Sequence, residues 1–302
     1  MTKSSPSHLY VVIPTCGRPD LLARTLHSLS ACSIPDSFRG VWVAENGPEQ
    51  GARTVVEKAP PRLQATYLHV PQKNKSRALN VVLQQMSDDL IFFADDDVRF
   101  DPGVLSAYGE AAARHPRGYF GGPVGVDYEE APPDWLFPYL PTSAKGWEGP
   151  LPGRKKRPFA LYGCNWAACS RDLQKVGGFD EQRGPGTELS GQETDMQYRL
   201  RTSGIPPIFV PEARVWHYVP ADRCSPEWAI ARARRHAYWQ GLGLARRPGF
   251  KSTLRWMWWC VHPRTFAGRC VALLDKREQT RFRRTYWNAC RQAVLEGASK
   301  NE

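Results

Sequence analysis

The chain predicts an α/β fold, with a mostly parallel central sheet flanked by helices and a basic helical extension at its C-terminal end. Two observations carry this. Short apolar runs alternate with segments of helical period over about residues 9–100, the pattern of strands joined by crossover helices. Charge is also partitioned. Residues 223–302 hold 17 Lys/Arg and 5 Asp/Glu, a net +12, whereas the rest, from totals of 41 and 30, hold 24 and 25, a net −1.

Taken in order, Leu9 to Ile13 is an apolar run closed by Pro14, a buried strand. Gly17-Arg18-Pro19-Asp20 then makes a turn suited to start a helix, with Leu21, Leu22, Thr25, Leu26 and Leu29 at helical spacing. Gly40 to Ala44 is a second strand, closed by the turn Glu45-Asn46-Gly47-Pro48, and Ala65 to Val70 is a third. Ser76 to Met86 reads as a helix with Leu79, Val82, Leu83 and Met86 on one face. Leu90 to Ala94 is a fourth strand that runs straight into Asp95-Asp96-Asp97. Asp127 to Pro158 is rich in Pro, Gly and Trp without a clean period and reads as a long loop. A helix is expected over Glu193 to Thr202, with short strands at Ile208 to Pro211 and Ala213 to His217, and basic helices from Pro226 onward. The expected boundaries are 1–222 for the α/β domain and 223–302 for the extension.

The eight cysteines show no CxxC pair and no zinc-site spacing, which suits reduced thiols in a cytoplasmic chain. Met1 to His8 is polar, and Leu9 to Pro14 is too short for a secretory apolar region. No run reaches the roughly 18 apolar residues of a membrane span. Trp256 to Leu274 comes nearest and is broken by His262, Pro263, Arg264 and Arg269. The tail combines Arg232, Arg234, Arg235, Arg246 and Arg247 with Trp256, Trp258 and Trp259. That pattern fits a helix lying at the inner face of a membrane and equally a basic helical pair packed through its Trp residues. No nucleic-acid-binding module is recognisable, so nucleic acid is not an expected partner.

Ligands of parallel sheets gather at the carboxyl ends of the strands. The turns carrying Thr15 and Arg18, Glu45, and Asp95 to Asp97 should therefore converge. Three adjacent carboxylates repel one another, and a Mg²⁺ or Mn²⁺ ion shared with phosphate oxygens would relieve this. A polar turn capping the next helix is the plainer reading. Glu193, at a helix start, is placed to take a proton from a hydroxyl, or merely to favour the helix dipole. His217 is a metal ligand or a packed histidine.

Together these residues carry a resemblance. VVIPTCGRPDLLARTLHSL, VWVAENGP, NKSRALN, LIFFADDDVRFDP, GCNWAACSRDLQKVGGFDE and SGQETDMQYRLRTSGIPPIFVPEARVWH, in that order over about residues 9–220, resemble the inverting glycosyltransferases of family 2, which have the GT-A fold. The resemblance implies a nucleotide-sugar half over about 9–100 and an acceptor half over about 101–222. It implies that Pro14, Thr15 and Arg18 surround the nucleotide, that Glu45 meets the base or ribose, and that Arg77 and Asn80 lie near the diphosphate. Asp95 and Asp97 match the DxD pair, Asp97 being the direct metal ligand and Asp95 lying towards the ribose while contributing to the metal, and Asp96 lies with them against the nucleotide-sugar. His217 completes the metal shell and Glu193 is the catalytic base, with Asp195 a substitute or a structural acid. Trp135, Trp147, Asn165, Trp166, Asp195 and the loop Gln182 to Ser190 are candidates for the acceptor site. The implied partners are a nucleoside diphosphate sugar, by default a uridine diphosphate sugar, and a saccharide or lipid-linked acceptor. Two departures stand out: the family usually has Asp at the position of Glu45, and Glu-Asp where this chain has Gln192-Glu193. A metal-dependent nucleotidyltransferase and a non-catalytic sugar-nucleotide binding protein are the competing readings, and the absence of GxxxxGK[ST] argues against kinase-type chemistry.

Overall fold

The structure is a computed structural model that describes residues 6, 8–150, 161–245 and 278–299. Arg246, Arg247 and the cluster of Trp256, Trp258 and Trp259 lie outside the described residues.

The main sheet has seven strands in the order β3-β2-β1-β4-β8-β6-β9. These are β1 (Leu9–Thr15), β2 (Phe38–Asn46), β3 (Ala65–Val70), β4 (Leu90–Ala94), β6 (Tyr119–Gly121), β8 (Asn165–Cys169) and β9 (Pro207–Phe209). Four neighbouring pairs are parallel, and only β8 runs antiparallel to both its neighbours. A smaller sheet has the order β5-β10-β7, from β5 (Val98–Phe100), β10 (Val215–Val219) and β7 (Val124–Tyr128). The mostly parallel sheet expected from the sequence is therefore present.

Both faces of the main sheet are covered, which is why β1 and β4 read as near-continuous apolar runs. In β1, Val11 and Ile13 point to one core and Val12 to the other, the period-2 alternation of a pleated strand. The first core is closed by α1 (Pro19–Ser30), α2 (Ala52–Glu57) and α4 (Val104–Arg114), through residues such as Leu22, Leu26, Val56 and Tyr108. The second is closed by α3 (Lys75–Leu83), α5 (Ser170–Lys175) and α6 (Gln192–Thr202), through Leu79, Val82, Leu173, Met196 and Leu200. Local chemistry sets the helix starts. Pro19 opens α1, and the Asn74 side chain accepts from the Arg77 N–H at 3.0 Å to cap α3. Gly191, at φ 85°, turns the chain into α6 in a conformation that glycine adopts without strain.

The chain divides into two compact units. The first comprises 1–127 and 146–218, and the second 128–145 and 219–302, so Tyr128–Lys145 joins the helical extension rather than the α/β unit. Within the second unit, α7 (Pro226–Ala245) and α8 (Glu278–Ser299) meet along Ala237, Cys290, Ala293 and Val294, and Arg234 pairs with Glu296 at 3.1 Å. Trp135 belongs to this unit, edge-on to Phe282 at 5.3 Å. Among the described residues no helix is long and apolar enough to cross a membrane.

Candidate active site

The site lies where the strand order reverses. β2 and β3 extend the sheet on one side of β1, whereas β4 returns to its other side, so the turns after β1 and β4 face each other across a topological switch point. The turn after β1 supplies Arg18 and the turn after β4 supplies the three aspartates. The Asp turn is fastened from below: the Thr25 hydroxyl sits 2.9 Å from the Asp96 carbonyl, and the Tyr218 N–H donates to the Asp97 carbonyl at 2.8 Å.

The three acids have different environments. Asp96 is wholly buried; it accepts from the Thr15 hydroxyl at 2.6 Å and from the Arg18 guanidinium. Burial pushes its carboxyl up to about 6 against the pull of Arg18. Arg18 also donates to Asp97 Oδ2 at 2.7 Å; burial would lower the guanidinium, but Asp96, Asp97 and Asp95 hold it above its usual range. Asp95 takes the Lys75 ammonium at 2.7 Å, and that ammonium lies 3.5 Å from Glu193 Oε1. Burial would lower Lys75, but Asp95 and then Glu193 outweigh it and keep the group protonated. Burial would raise Asp95, but Lys75 holds its carboxyl below the ordinary range.

Asp97 Oδ1 is buried without a hydrogen-bond partner, and it faces His217 Nε2 at 3.5 Å. His217 Nδ1 is likewise buried and without a partner. A carboxylate oxygen and an imidazole nitrogen that face each other without a hydrogen bond between them are a two-donor set suited to a divalent cation. Charge points the same way. Asp95, Asp96, Asp97 and Glu193 are four carboxylates against the two cations Arg18 and Lys75, which leaves two negative charges over. Among the described residues no group of three His, Cys, Asp or Glu is arranged to hold a metal, so a complete shell would need further donors such as water or phosphate oxygens. Asp95, grouped from sequence with Asp97 and His217 as a ligand, places its Oδ1 on the Lys75 ammonium at 2.7 Å.

The other residues singled out in the sequence have the following surroundings. Pro14 and Thr15 are buried at the end of β1, with the Thr15 hydroxyl spent on Asp96. Asp96, expected against the nucleotide-sugar, has no exposed surface with which to meet it. Glu45 is buried and accepts from the Gln50 N–H at 2.8 Å and the Tyr67 hydroxyl at 2.6 Å, so its carboxylate fastens β2 to β3. Asn80 grips the Phe179 backbone from both sides, at 2.9 Å and 2.7 Å, and Arg77 is exposed 3.9 Å from Glu181. Asn80 thereby holds the loop before α6. Trp166 is in the core, stacked on Phe93 at 4.7 Å, and offers no face to a ligand. Asn165 is fully buried, bonded to the Tyr108 hydroxyl at 2.7 Å and to the carbonyls of Pro123 and Ala213. Asp195 pairs with Arg199 at 2.8 Å, the structural role open to it from sequence. Trp147 packs beside Tyr162 and Phe209. The sequence does not single out Gly163, whose backbone lies directly against the Glu193 carboxylate.

A family model described as "Glycosyltransferase like family 2" matches residues 6–241. The chain belongs to this family. The glycosyltransferase is also 31% identical over 248 residues to the succinoglycan biosynthesis protein ExoM of Rhizobium meliloti (strain 1021), covering 80% of this chain and 76% of that protein. Among solved structures it resembles a mannosyltransferase from Pyrobaculum calidifontis in complex with GDP-Man and Mn²⁺, at TM-score 0.60 and 16% identity over 99% of this chain and 90% of the other. It resembles GalNAc-T7 with UDP, GalNAc and Mn²⁺ at TM-score 0.55 and 14% identity, over 78% of this chain and 51% of that one. S. aureus TarS follows at TM-score 0.53 and 12% identity, over 96% of this chain and 54% of TarS. These likenesses fix the GT-A fold expected from the sequence.

Proposed function

We propose that this family 2 glycosyltransferase moves a sugar, with inversion and in a divalent-metal-dependent step, from a nucleoside diphosphate sugar to a hydroxyl of a saccharide or lipid-linked acceptor. The observation that carries the reading is the cluster itself: Asp97 Oδ1 and His217 Nε2 face each other on one side, and Glu193 is tied through Lys75 to Asp95 on the other.

Departure of the nucleoside diphosphate builds negative charge on its terminal phosphate, and cations beside it lower the barrier. Asp97 and His217 would hold Mn²⁺ or Mg²⁺ there, which supplies charge neutralisation at the diphosphate. Arg18 and Lys75 hold the acid turn in shape, so the diphosphate meets a preset cluster. Glu193 takes the proton of the acceptor hydroxyl, whose oxygen attacks the anomeric carbon from the side opposite the leaving group; a single displacement inverts that centre. The ExoM relative, named for succinoglycan biosynthesis, supports a saccharide acceptor, and the GDP-Man and UDP named with the solved structures support a nucleotide-sugar donor. The net +12 of residues 223–302 suits an anionic lipid-diphosphate carrier at a membrane face.

The test is the release of nucleoside diphosphate from UDP-glucose, UDP-galactose and GDP-mannose with Mn²⁺ present. Glu193→Gln is expected to lower turnover by about 10²–10⁴-fold while the donor still raises the melting temperature. Wild-type turnover in that variant would remove Glu193 from the reaction.

A further inference from the structure

Glu193 is not a free carboxylate at a helix start. Its Oε1 accepts from Gln192 Nε2 at 2.7 Å and lies 3.5 Å from the Lys75 ammonium. Nothing bonds Oε2 among the described residues. The Gln192 side chain is buried, 3% exposed, and a carboxylate only accepts hydrogen bonds, so the amide must turn its nitrogen towards Glu193. Two glycines wall the pair. A Cβ on Gly163, in the turn closed by the Asn165 N–H and the Tyr162 carbonyl, would lie 2.5 Å from Glu193 Oε1. A Cβ on Gly184, at φ +108°, would lie 2.8 Å from Gln192 Oε1.

Resting on the assignment of Glu193 as the base, we infer that Gln192 is a positioning residue: with Lys75 and the bare backbone of Gly163 it pins Oε1 and leaves Oε2 to receive the acceptor's proton. An oxygen that already accepts from an amide and an ammonium is less basic than its unshared partner. The acceptor O–H proton therefore passes to Oε2 as the new bond to the anomeric carbon forms. The bond from that carbon to the donor phosphate breaks, and its electron pair leaves with the nucleoside diphosphate. The residue type matters. A Glu at position 192 would set a second carboxylate against Oε1, whereas Gln brings a donor.

The experiment replaces Gln192 with Met, which keeps the length and bulk of the side chain but donates nothing. Turnover is followed with UDP-glucose, UDP-galactose and GDP-mannose beside wild type and Glu193→Gln. Gln192→Met is expected to lower kcat about tenfold or more, with the donor KM within about twofold and the melting temperature little changed. Gly163→Ala, which pushes on the same carboxylate from outside α6, should show the same split and decides the matter if Gln192→Met does not fold. Wild-type kcat in the folded variant, with Glu193→Gln inactive, overturns the inference and leaves the base assignment standing. Full activity in Glu193→Gln, or no turnover of any of the three donors by wild type, overturns both.

Discussion

At the scale of single residues, burial separates the side chains that can meet a ligand from those that hold the fold. Asp97 keeps a buried carboxylate oxygen without a hydrogen-bond partner, facing His217 Nε2, which is costly unless something arrives to pair with it. His217→Ala and Asp97→Asn are each expected to lower kcat/KM by about 10–100-fold or more and to shift the Mn²⁺ response to higher concentration. A titration of activity with MnCl₂ measures this. Trp166 is the opposite case: stacked on Phe93 and edge-on to Phe179, it works by filling volume. Trp166→Ala should cost about 3–5 kcal/mol in denaturant unfolding. If the variant kept wild-type stability and lost only acceptor affinity, the core assignment would be wrong.

Among the elements, the loop between α5 and α6 stands out because it is nailed to the start of α3. The Ser76 hydroxyl donates to the Arg183 carbonyl at 2.6 Å, the Lys75 N–H to the Pro185 carbonyl at 3.2 Å, and the Asn74 amide to the Glu181 carbonyl at 2.8 Å. One short helix thus carries Lys75 to Asp95 and also anchors the loop that leads into Glu193. Gly186 is where this clasp is tightest: φ is +92° and a Cβ would lie 1.8 Å from the Lys73 carbonyl oxygen. Gly186→Ala is therefore expected to destabilise by about 1–3 kcal/mol, and to open the loop to limited proteolysis before the rest of the α/β unit.

On the scale of the whole molecule, the acid cluster and a charged donor should stabilise each other through the cation they share. Thermal unfolding followed with each nucleotide-sugar, Mn²⁺, or both should show the largest rise only with both. A donor at a hundredfold excess over its dissociation constant adds about 2.7 kcal/mol. Excess chelator should remove that rise together with turnover. An equal rise with donor alone would argue that Arg18 and Lys75 suffice.

The apolar runs of β1 and β4, the helical spacing of α1 and α3, and the Asp turn were legible in the sequence because local period and, for the strands, two-sided burial set them. Family membership was legible too, since it rests on the order of short motifs. The stretch between β4 and β8 was less so. β5 and β6 have three residues each, too few for a period, although α4 repeats its apolar residues at helical spacing. Tertiary structure alone decided which polar groups are already spent. Arg18 meets Asp96 and Asp97 across 78 and 79 residues of chain, and Lys75 meets Glu193 across 118. Local pattern names the acids, but only the fold brings their partners within hydrogen-bonding distance, because such bonds act over about 3 Å of space whatever the separation in sequence.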